Sequence, residues 1–199
     1  MTDAPICSYY DIMTDIETTG TRPDRHHVMS LAGVAFNWHE GQVSPDTFYV
    51  TMAMPGWRSW DEDTRAWWSK QKTETFAAAT ENPVSLTEGM WRYQQWVRRV
   101  TGVLDAPRLW AKPISFEWPF IESCFRDAEV DNPFHFRDCI DMQSFIRGMR
   151  MNPAAPAFDK QVPFVGNEHH ALDDTLHQIV VTLTAKAKFA TTPKETTDD

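Results

Sequence analysis

The chain has 199 residues, of which 42% are hydrophobic, and this is long enough for one folded domain with a buried core. Its formal net charge of −9 argues against a broad basic surface that binds nucleic acid along many phosphates, but allows a small acidic site that binds a few nucleotides through divalent metals. No apolar run approaches the roughly 20 residues that a membrane span needs.

The first quarter of the chain predicts three strands. Residues 9–15 are typical of a buried strand, and residues 28–38 and 47–51 have the same character. A polar loop, 21–27, and a hairpin-like turn, 39–42, separate them. Because short turns join successive strands, we predict an antiparallel meander.

Helical patterns follow the three strands. Residues 61–70 predict a helix with Asp61 as its N-cap. A longer helix is predicted over residues 85–103, where Ser85 can cap the first turn and Glu88 lies three residues on, in capping-box register.

Short strands and helices alternate in the rest of the chain. We predict strands at 108–111 and 134–140, and helices over residues 117–128, 142–149 and 171–189. The last helix follows a proline-rich segment, 151–166, and Leu176 and Val180 are among its predicted apolar positions. The sum predicts an α/β fold with a mixed five-stranded sheet flanked by helices.

Signals for export and disulfide formation are lacking. Residues 1–8 do not combine a basic segment with an apolar one, so we expect no secretory signal. The cysteines are odd in number and widely spaced: Cys7, Cys124 and Cys139. This usage favours a reducing compartment, and we expect a cytoplasmic protein. We predict one domain over residues 1–190 and a disordered tail at 191–199.

An acidic motif, Asp-Ile-Glu-Thr-Thr-Gly, occupies residues 15–20 at the end of the first apolar run. Residues i and i+2 of a strand face the same side, roughly 6.5 to 7 Å apart, so Asp15 and Glu17 can present two carboxylates to one pocket. Such hard oxygen ligands suit Mg²⁺ or Mn²⁺. Gly20 allows the backbone to approach a ligand closely. Taken alone, the motif is more typical of solvated acids at a strand end, because such surface pairs are common.

A second motif, His-His-Ala-Leu-Asp-Asp, occupies residues 169–174 at the start of the last predicted helix. Asp174 would lie in the first turn of that helix, with His169 just before it. A histidine can accept a proton from water near neutral pH. The alternative interpretation of this motif alone is a polar cap on a surface helix.

Together the two motifs resemble motifs one and three of the DEDDh 3′–5′ exonucleases, the superfamily of RNase T, oligoribonuclease and the DnaQ proofreading subunit. The resemblance spans roughly residues 9–185 and implies an RNase H-like fold. It includes the segment 67–71, Trp-Trp-Ser-Lys-Gln, which resembles the Trp-Trp-x-x-Gln segment of phage exonuclease A and its exoribonuclease-like relatives. Arg137-Asp138 and Thr175-x-x-Gln178 are also similar to that branch.

The middle motif departs from the family pattern. The family usually places an aspartate after an aromatic residue, whereas here Glu117 follows Phe116 and is one methylene longer. The resemblance implies that this carboxylate acts on a second metal through water. The longer side chain is then either tolerated or weakens that metal site. Other aspartates lie outside the motif position: Asp105, Asp138 and Asp141.

The resemblance implies hydrolysis with two Mg²⁺ or Mn²⁺ ions about 3.5 to 4 Å apart. Asp15 would bind both ions, and Glu17 and Asp174 would bind the one beside the attacking water. Glu117 would support the ion near the leaving 3′ oxygen. His169 would accept the proton of the water.

The expected partner is the 3′ end of DNA or RNA, and the products are nucleoside 5′-monophosphates. Six residues are candidates for substrate binding: Thr18, Thr19, Gly20, Trp68, Gln71 and Trp118. Trp118 is a stacking candidate because it adjoins Glu117, and base stacking on tryptophan is worth roughly 1 to 3 kcal/mol. The absence of a separate binding domain favours short or single-stranded substrates. Related enzymes are often dimers, so a homodimer and a monomer are both open.

Three alternatives differ in class or substrate. The first is an oligoribonuclease-like enzyme for very short RNA. The second is a catalytically weakened nucleic-acid-binding or nucleotide-binding domain, in which Glu117 marks lost activity. The third is a mononuclear zinc hydrolase that uses His169 and His170. The sequence does not distinguish a ribose from a deoxyribose substrate.

Overall fold

The apolar residues that follow Tyr10 form the central strand of a mixed sheet in a computed structural model of the chain, which describes residues 9–102 and 107–190. The strands are β1 (Asp11–Thr18), β2 (Val28–Asn37), β3 (Gln42–Thr51), β4 (Arg108–Ala111) and β5 (Cys139–Asp141). Their order across the sheet is β3-β2-β1-β4-β5. β1, β2 and β3 pair in antiparallel fashion, whereas β4 is parallel to β1 and β5 to β4. The predicted meander and the predicted five-stranded mixed sheet are both confirmed.

Within the part of the chain that the structure describes, six α-helices flank the sheet. They are α1 (Glu62–Trp68), α2 (Thr73–Thr80), α3 (Leu86–Thr101), α4 (Ile114–Ala128), α5 (Met142–Met149) and α6 (Ala171–Phe189). Both predicted N-caps are confirmed. Asp61 Oδ1 accepts the N–H of Thr64 at 2.9 Å, and Ser85 Oγ accepts the N–H of Glu88 at 3.2 Å.

The central strand separates two apolar cores. On one face of the sheet, Ile12 and Ile16 belong to a core that includes residues of α3 and α4. On the other face, Met13 belongs to a core built with α5 and α6. Because side chains alternate along a strand, Asp15 and Glu17 share the face of Met13 and point towards α6. Burial on both faces explains why apolar residues point in both directions from the strand: Ile12, Met13 and Ile16 are all buried.

Several element boundaries differ from the predictions. α4 begins at Ile114 rather than at residue 117, directly after Pro113, whose fixed φ suits a helix entrance. β5 covers only Cys139–Asp141, because β4 offers just three pairing positions, and residues 136–138 form a 3₁₀ turn instead of strand. The sequence did not predict α2.

Some predictions fall beyond what the structure describes. Residues 103–106, where the prediction ended the long helix and where Asp105 lies, are outside the described residues. So is the predicted tail at 191–199, and the single-domain boundary therefore stays a prediction. Within the described ranges, no helix combines the length and apolar character that a membrane crossing requires.

The parallel strands determine where a site can form. The carboxyl ends of parallel strands open at the same edge of a sheet, which is where ligands bind in α/β folds. Met13 of β1 is in register with Trp110 of β4. β4 ends at Ala111 and Lys112 follows it at this edge, whereas β1 continues through Asp15 to Thr18.

Candidate active site

Asp15 occupies the centre of this edge. Its Oδ1 accepts a hydrogen bond of 2.7 Å from Nε2 of Gln178, which lies on α6. Burial and the neighbouring carboxylate of Asp174 raise the pKa of Asp15 to about 8, while the Gln178 hydrogen bond acts in the opposite direction. Asp15 is therefore a carboxyl group held in one orientation among other acids.

Glu17 and Asp174 face each other beside His169. One ligand atom from each of these three side chains lies within 4.8 Å of the other two. Burial raises the pKa of Glu17 to about 10, with further contributions from Asp15 and Asp174. Burial also raises the pKa of Asp174. Two motifs that are far apart in the sequence thus meet in one cluster.

The backbone turn before α6 brings His169 to the cluster. His169 has a φ of 65°, in the left-handed region that few non-glycine residues adopt. In this conformation its N–H donates to Asp174 Oδ2 at 2.8 Å. The hydrogen bond fixes the Asp174 carboxylate and places the imidazole next to it.

Glu117 reaches the cluster from the opposite side of the sheet. It lies in the first turn of α4 and is only 3% exposed. Burial, together with the charges of Asp15 and Glu17, raises its pKa well above the usual range. Its Oε2 atom has no hydrogen-bond partner in the described structure. The residue at the divergent middle motif therefore joins the other three acids, with one buried oxygen free to act as a ligand.

Four clustered carboxylates favour a positively charged ligand. Each negative charge disfavours ionisation of its neighbours, and burial disfavours it further. A divalent cation would offset both effects, and the donor set of carboxylate oxygens is the one that Mg²⁺ and Mn²⁺ prefer. The unpartnered Oε2 of Glu117 agrees with this requirement. The residues present therefore fit a divalent metal centre.

The remaining residues of the first motif shape the turn after β1. Thr18 Oγ1 donates to the carbonyl of Gly20 at 2.7 Å, and Thr19 Oγ1 donates to the carbonyl of Ser59 at 2.8 Å. A Cβ at Gly20 would overlap the imidazole of His26. The predicted substrate role of Thr18, Thr19 and Gly20 stays a prediction, and the contacts show how they hold the turn.

The structure places Trp67 beside His169, rather than the substrate-binding candidates Trp68 and Trp118. Trp68 is 4% exposed, and its Nε1 donates to the carbonyl of Thr18 at 3.1 Å. Gln71 Nε2 donates to the carbonyl of Trp67 at 3.2 Å, and Trp118 packs against the core between the sheet and α4. The ring beside His169 belongs to Trp67, with centroids 4.8 Å apart and an edge-to-face angle of 86°.

His170 and Asp173 belong to the cap of α6. His170 Nδ1 accepts the N–H of Asp173 at 3.4 Å, and its ring stacks on Tyr49 at 5.0 Å. Asp173 Oδ2 accepts the N–H of Asn167 at 2.8 Å. The group of metal-ligating atoms found in the described residues contains His169 without His170, which disfavours a zinc site built on both histidines.

Three residues at the site were not predicted as site residues. Gln178 contacts Asp15, and Trp67 contacts His169. Lys112 follows β4, and its charge lowers the pKa of Asp15 against the effect of burial. A signal for Gln178 was present, since it lies four residues after Asp174 and so on the same helix face. Lys112 became apparent only from the structure, in which it lines a groove with His169 and Asp174.

The sheet order, the flanking helices and the acidic edge together define an RNase H-like exonuclease fold. The chain belongs to the Rv2179c-like 3′–5′ exoribonuclease domain family, whose model matches residues 10–185. It is a 3′–5′ exonuclease. The resemblance inferred from the two motifs is thereby confirmed at the level of the superfamily.

Solved structures share the fold at low sequence identity. Cell-death related nuclease 4 (CRN-4) superposes with a TM-score of 0.70 and 16% identity over 93% of this chain and 66% of its own. The Mg²⁺- and Mn²⁺-bound form of S. pombe Pop2p superposes with a TM-score of 0.66 and 9% sequence identity, over 92% of this chain and 84% of its own. The nuclease domain of 3′hExo, a DEDDh family member bound to rAMP, superposes with a TM-score of 0.60 and 14% sequence identity, over 92% of this chain and 94% of its own. Curated protein sequences gave no significant match.

Proposed function

We propose that this exonuclease depends on divalent metal and hydrolyses the 3′-terminal phosphodiester bond of short or single-stranded nucleic acid, releasing nucleoside 5′-monophosphates. One observation carries the proposal. Glu17, His169 and Asp174 bring ligand atoms to within 4.8 Å of one another, and Asp15 and Glu117 interact electrostatically with the same group. A base and several metal-ligating acids thus share one edge of the sheet.

The acidic side chains would hold Mg²⁺ or Mn²⁺. Asp15, Glu17 and Asp174 are the principal ligands, and Glu117 supplies a fourth carboxylate. When bound, such ions neutralise charge on the phosphate and activate water. The solved structure of Pop2p with Mg²⁺ and Mn²⁺ supports this choice of ions for the fold. A two-ion centre, as opposed to a single ion, is part of the proposal.

The protein side chains supply proton transfer and orientation. His169 would accept the proton of an attacking water, and its position beside the carboxylates of Glu17 and Asp174 supports this role. The ring edge contact with Trp67 restrains the imidazole. Gln178 orients Asp15 through the hydrogen bond to Oδ1. These contacts preorganise the site before substrate binds.

The substrate is proposed to be RNA in preference to DNA, on the basis of the exoribonuclease description of the matching family. The rAMP bound to 3′hExo agrees with a ribonucleotide product for this fold. The net charge of −9 argues against a broad basic surface for phosphates, so we propose that the substrate is bound mainly by a few nucleotides at the active site. We propose a cytoplasmic location because the three cysteines are odd in number and widely spaced, and the oligomeric state stays a prediction.

The test uses 5′-labelled single-stranded RNA and DNA of identical sequence. Each is incubated with the protein in Mg²⁺, Mn²⁺ or EDTA, and Asp15→Ala is run beside the wild type. We expect a ladder that shortens from the 3′ end, needs metal, is stronger with RNA and is absent in the variant. Hydrolysis that persists in EDTA or in the variant would contradict the metal mechanism. A stronger DNA ladder would overturn only the sugar preference.

A further inference from the structure

Lys112 brings a positive charge to the acidic edge. It follows the last residue of β4 and lines one groove together with Asp174 and Gln178. Burial raises the pKa of both Asp15 and Asp174, and the charge of Lys112 acts against that rise in each case. The ammonium is therefore close enough to the proposed metal ligands to affect their ionisation.

The ammonium of Lys112 pairs with Asp159, which lies in the proline-rich segment 151–166. The side chain of Lys112 is 32% exposed, so water and ligands can reach it. Burial raises the pKa of Asp159, but the hydrogen bond and charge of Lys112 outweigh this effect and lower it overall. The ion pair joins the end of β4 to a segment that leads directly to His169.

Both partners line a groove that opens onto the proposed catalytic residues. Lys112 and Asp159 share its wall with His169, Asp174 and Gln178. A nucleic acid strand whose terminal phosphodiester lies at Asp174 must leave the site through an opening of this kind. Its next phosphates would then pass the ammonium. A phosphate and the Asp159 carboxylate compete for the same donor, because each forms a charge-assisted hydrogen bond with an ammonium group.

We propose that Lys112 binds a backbone phosphate of the substrate strand, and that Asp159 restrains substrate affinity by competing for Lys112. This inference rests on the proposed function, since it assumes that the strand ends at the acidic cluster. It adds a substrate-binding residue outside the two acidic motifs. It also assigns to the proline-rich segment a direct effect on affinity.

Two substitutions separate this role from a purely structural one. Lys112→Met and Asp159→Asn remove the same ion pair and leave side chains of similar size. If the pair only anchors the proline-rich segment, both variants should weaken the enzyme in the same direction. If Lys112 binds phosphate, Lys112→Met should weaken substrate binding, whereas Asp159→Asn should strengthen it by freeing the ammonium.

The experiment measures KM and kcat on a single-stranded RNA oligonucleotide at several salt concentrations in Mg²⁺. We expect Lys112→Met to raise KM about tenfold. The slope of log KM against log salt concentration should also fall by about 0.7, the value for one phosphate contact on a single strand. Asp159→Asn should lower KM a few-fold, and Lys112→Arg should retain most of the wild-type affinity because it keeps the charge. Thermal midpoints confirm that each variant is folded.

Arg99→Met is the matched control, because it removes the remote, exposed Arg99–Asp46 ion pair on α3 and β3. It should leave KM and its salt dependence unchanged. Equal increases of KM in Lys112→Met and Asp159→Asn, or no change in Lys112→Met, would overturn the inference. The absence of metal-dependent hydrolysis by the wild type would instead overturn the proposed function. Failure of the inference and failure of the proposed function are therefore distinguishable.

Discussion

The side-chain amide of Gln178 donates a 2.7 Å hydrogen bond to Oδ1 of Asp15, a residue 163 positions earlier in the chain. The bond crosses from α6 to the end of β1 and occupies one oxygen of the carboxylate that is central to the cluster. It also opposes the rise in the Asp15 pKa that burial causes. Orientation and ionisation of Asp15 therefore both depend on a neutral side chain.

Gln178→Ala should lower hydrolysis about 10- to 100-fold, the range typical of residues that orient metal ligands. Without the hydrogen bond, Asp15 should hold its proton to higher pH and bind Mg²⁺ more weakly. The Mg²⁺ concentration that gives half-maximal activity should consequently rise. Leu176→Ala, on the exposed side of the same helix, is the control and should leave this Mg²⁺ concentration unchanged. An unchanged Mg²⁺ requirement in Gln178→Ala would refute the orienting role.

Asp174→Asn should abolish hydrolysis, with a loss of about 10³-fold or more, because it removes a proposed metal ligand. The amide oxygen can still accept the N–H of His169, so the turn before α6 is preserved. In EDTA at pH 8 the variant should be at least as thermally stable as the wild type, since one like charge has left the cluster. Calorimetry and the labelled-RNA assay measure the two effects. A variant with wild-type turnover would contradict the site assignment.

Mg²⁺ should stabilise the protein increasingly as pH rises. The folded pKa values of Asp15 and Glu17, about 8 and about 10, lie above those of an unfolded chain, so the metal-free folded state binds more protons. Its stability should therefore fall as pH rises from about 4 to about 10. At pH 5 the carboxyl groups keep their protons and Mg²⁺ should raise the melting temperature little.

At pH 8.5 saturating Mg²⁺ should displace those protons and raise the melting temperature by about 5 °C, a value consistent with a chain of this size and ligand well above its dissociation constant. Differential scanning calorimetry with Mg²⁺ or EDTA at both pH values measures the difference. Asp174→Asn should show a smaller shift at pH 8.5. Equal Mg²⁺ shifts at pH 5 and pH 8.5 would rule out competition between protons and metal.

Glu117→Asp should keep hydrolysis within about tenfold of the wild type, or raise it, because the substitution restores the carboxylate usual at this position. Glu117→Ala should lose most of the activity, since Glu117 contributes a buried carboxylate with a free oxygen. Turnover at saturating Mg²⁺ and RNA distinguishes the variants. A complete loss in Glu117→Asp would show that the longer side chain is required.

Gly20→Ala should destabilise the turn after β1. The added Cβ would overlap the His26 ring, whose Nδ1 accepts the N–H of Arg22 at 2.9 Å. Overpacking of this kind typically costs about 1 to 3 kcal/mol, which corresponds to a fall of several degrees in melting temperature. Gly56→Ala is the control, because a Cβ there meets nothing within 4 Å. Equal melting temperatures for both variants would show that His26 moves aside without cost.

The central strand and the acidic motif were predictable because their patterns are local. Alternation along β1 places Asp15 and Glu17 on one face whatever the remainder of the chain does. The N-caps Asp61 and Ser85 were predictable for the same reason. Such features need only the few residues on either side of them.

Features that depend on distant packing were not predictable. The apolar pattern of α6 suggested a buried side that includes Leu176 and Val180, yet these are 38% and 51% exposed. The helix instead buries Thr175 and Gln178, because that side faces the acidic end of β1. The helix α2 was missed since its alanine-rich sequence lacks a side-chain N-cap and a strong apolar stripe.

The proposed site combines residues from the beginning and the end of the described chain. β1 is synthesised early and α6 late, and the cluster requires Asp15 from the former with His169 and Asp174 from the latter. A polypeptide that has formed the β-meander but not yet α6 would therefore lack His169 and Asp174, the proposed base and one proposed metal ligand. The proposed site can be completed only after both β1 and α6 have been translated.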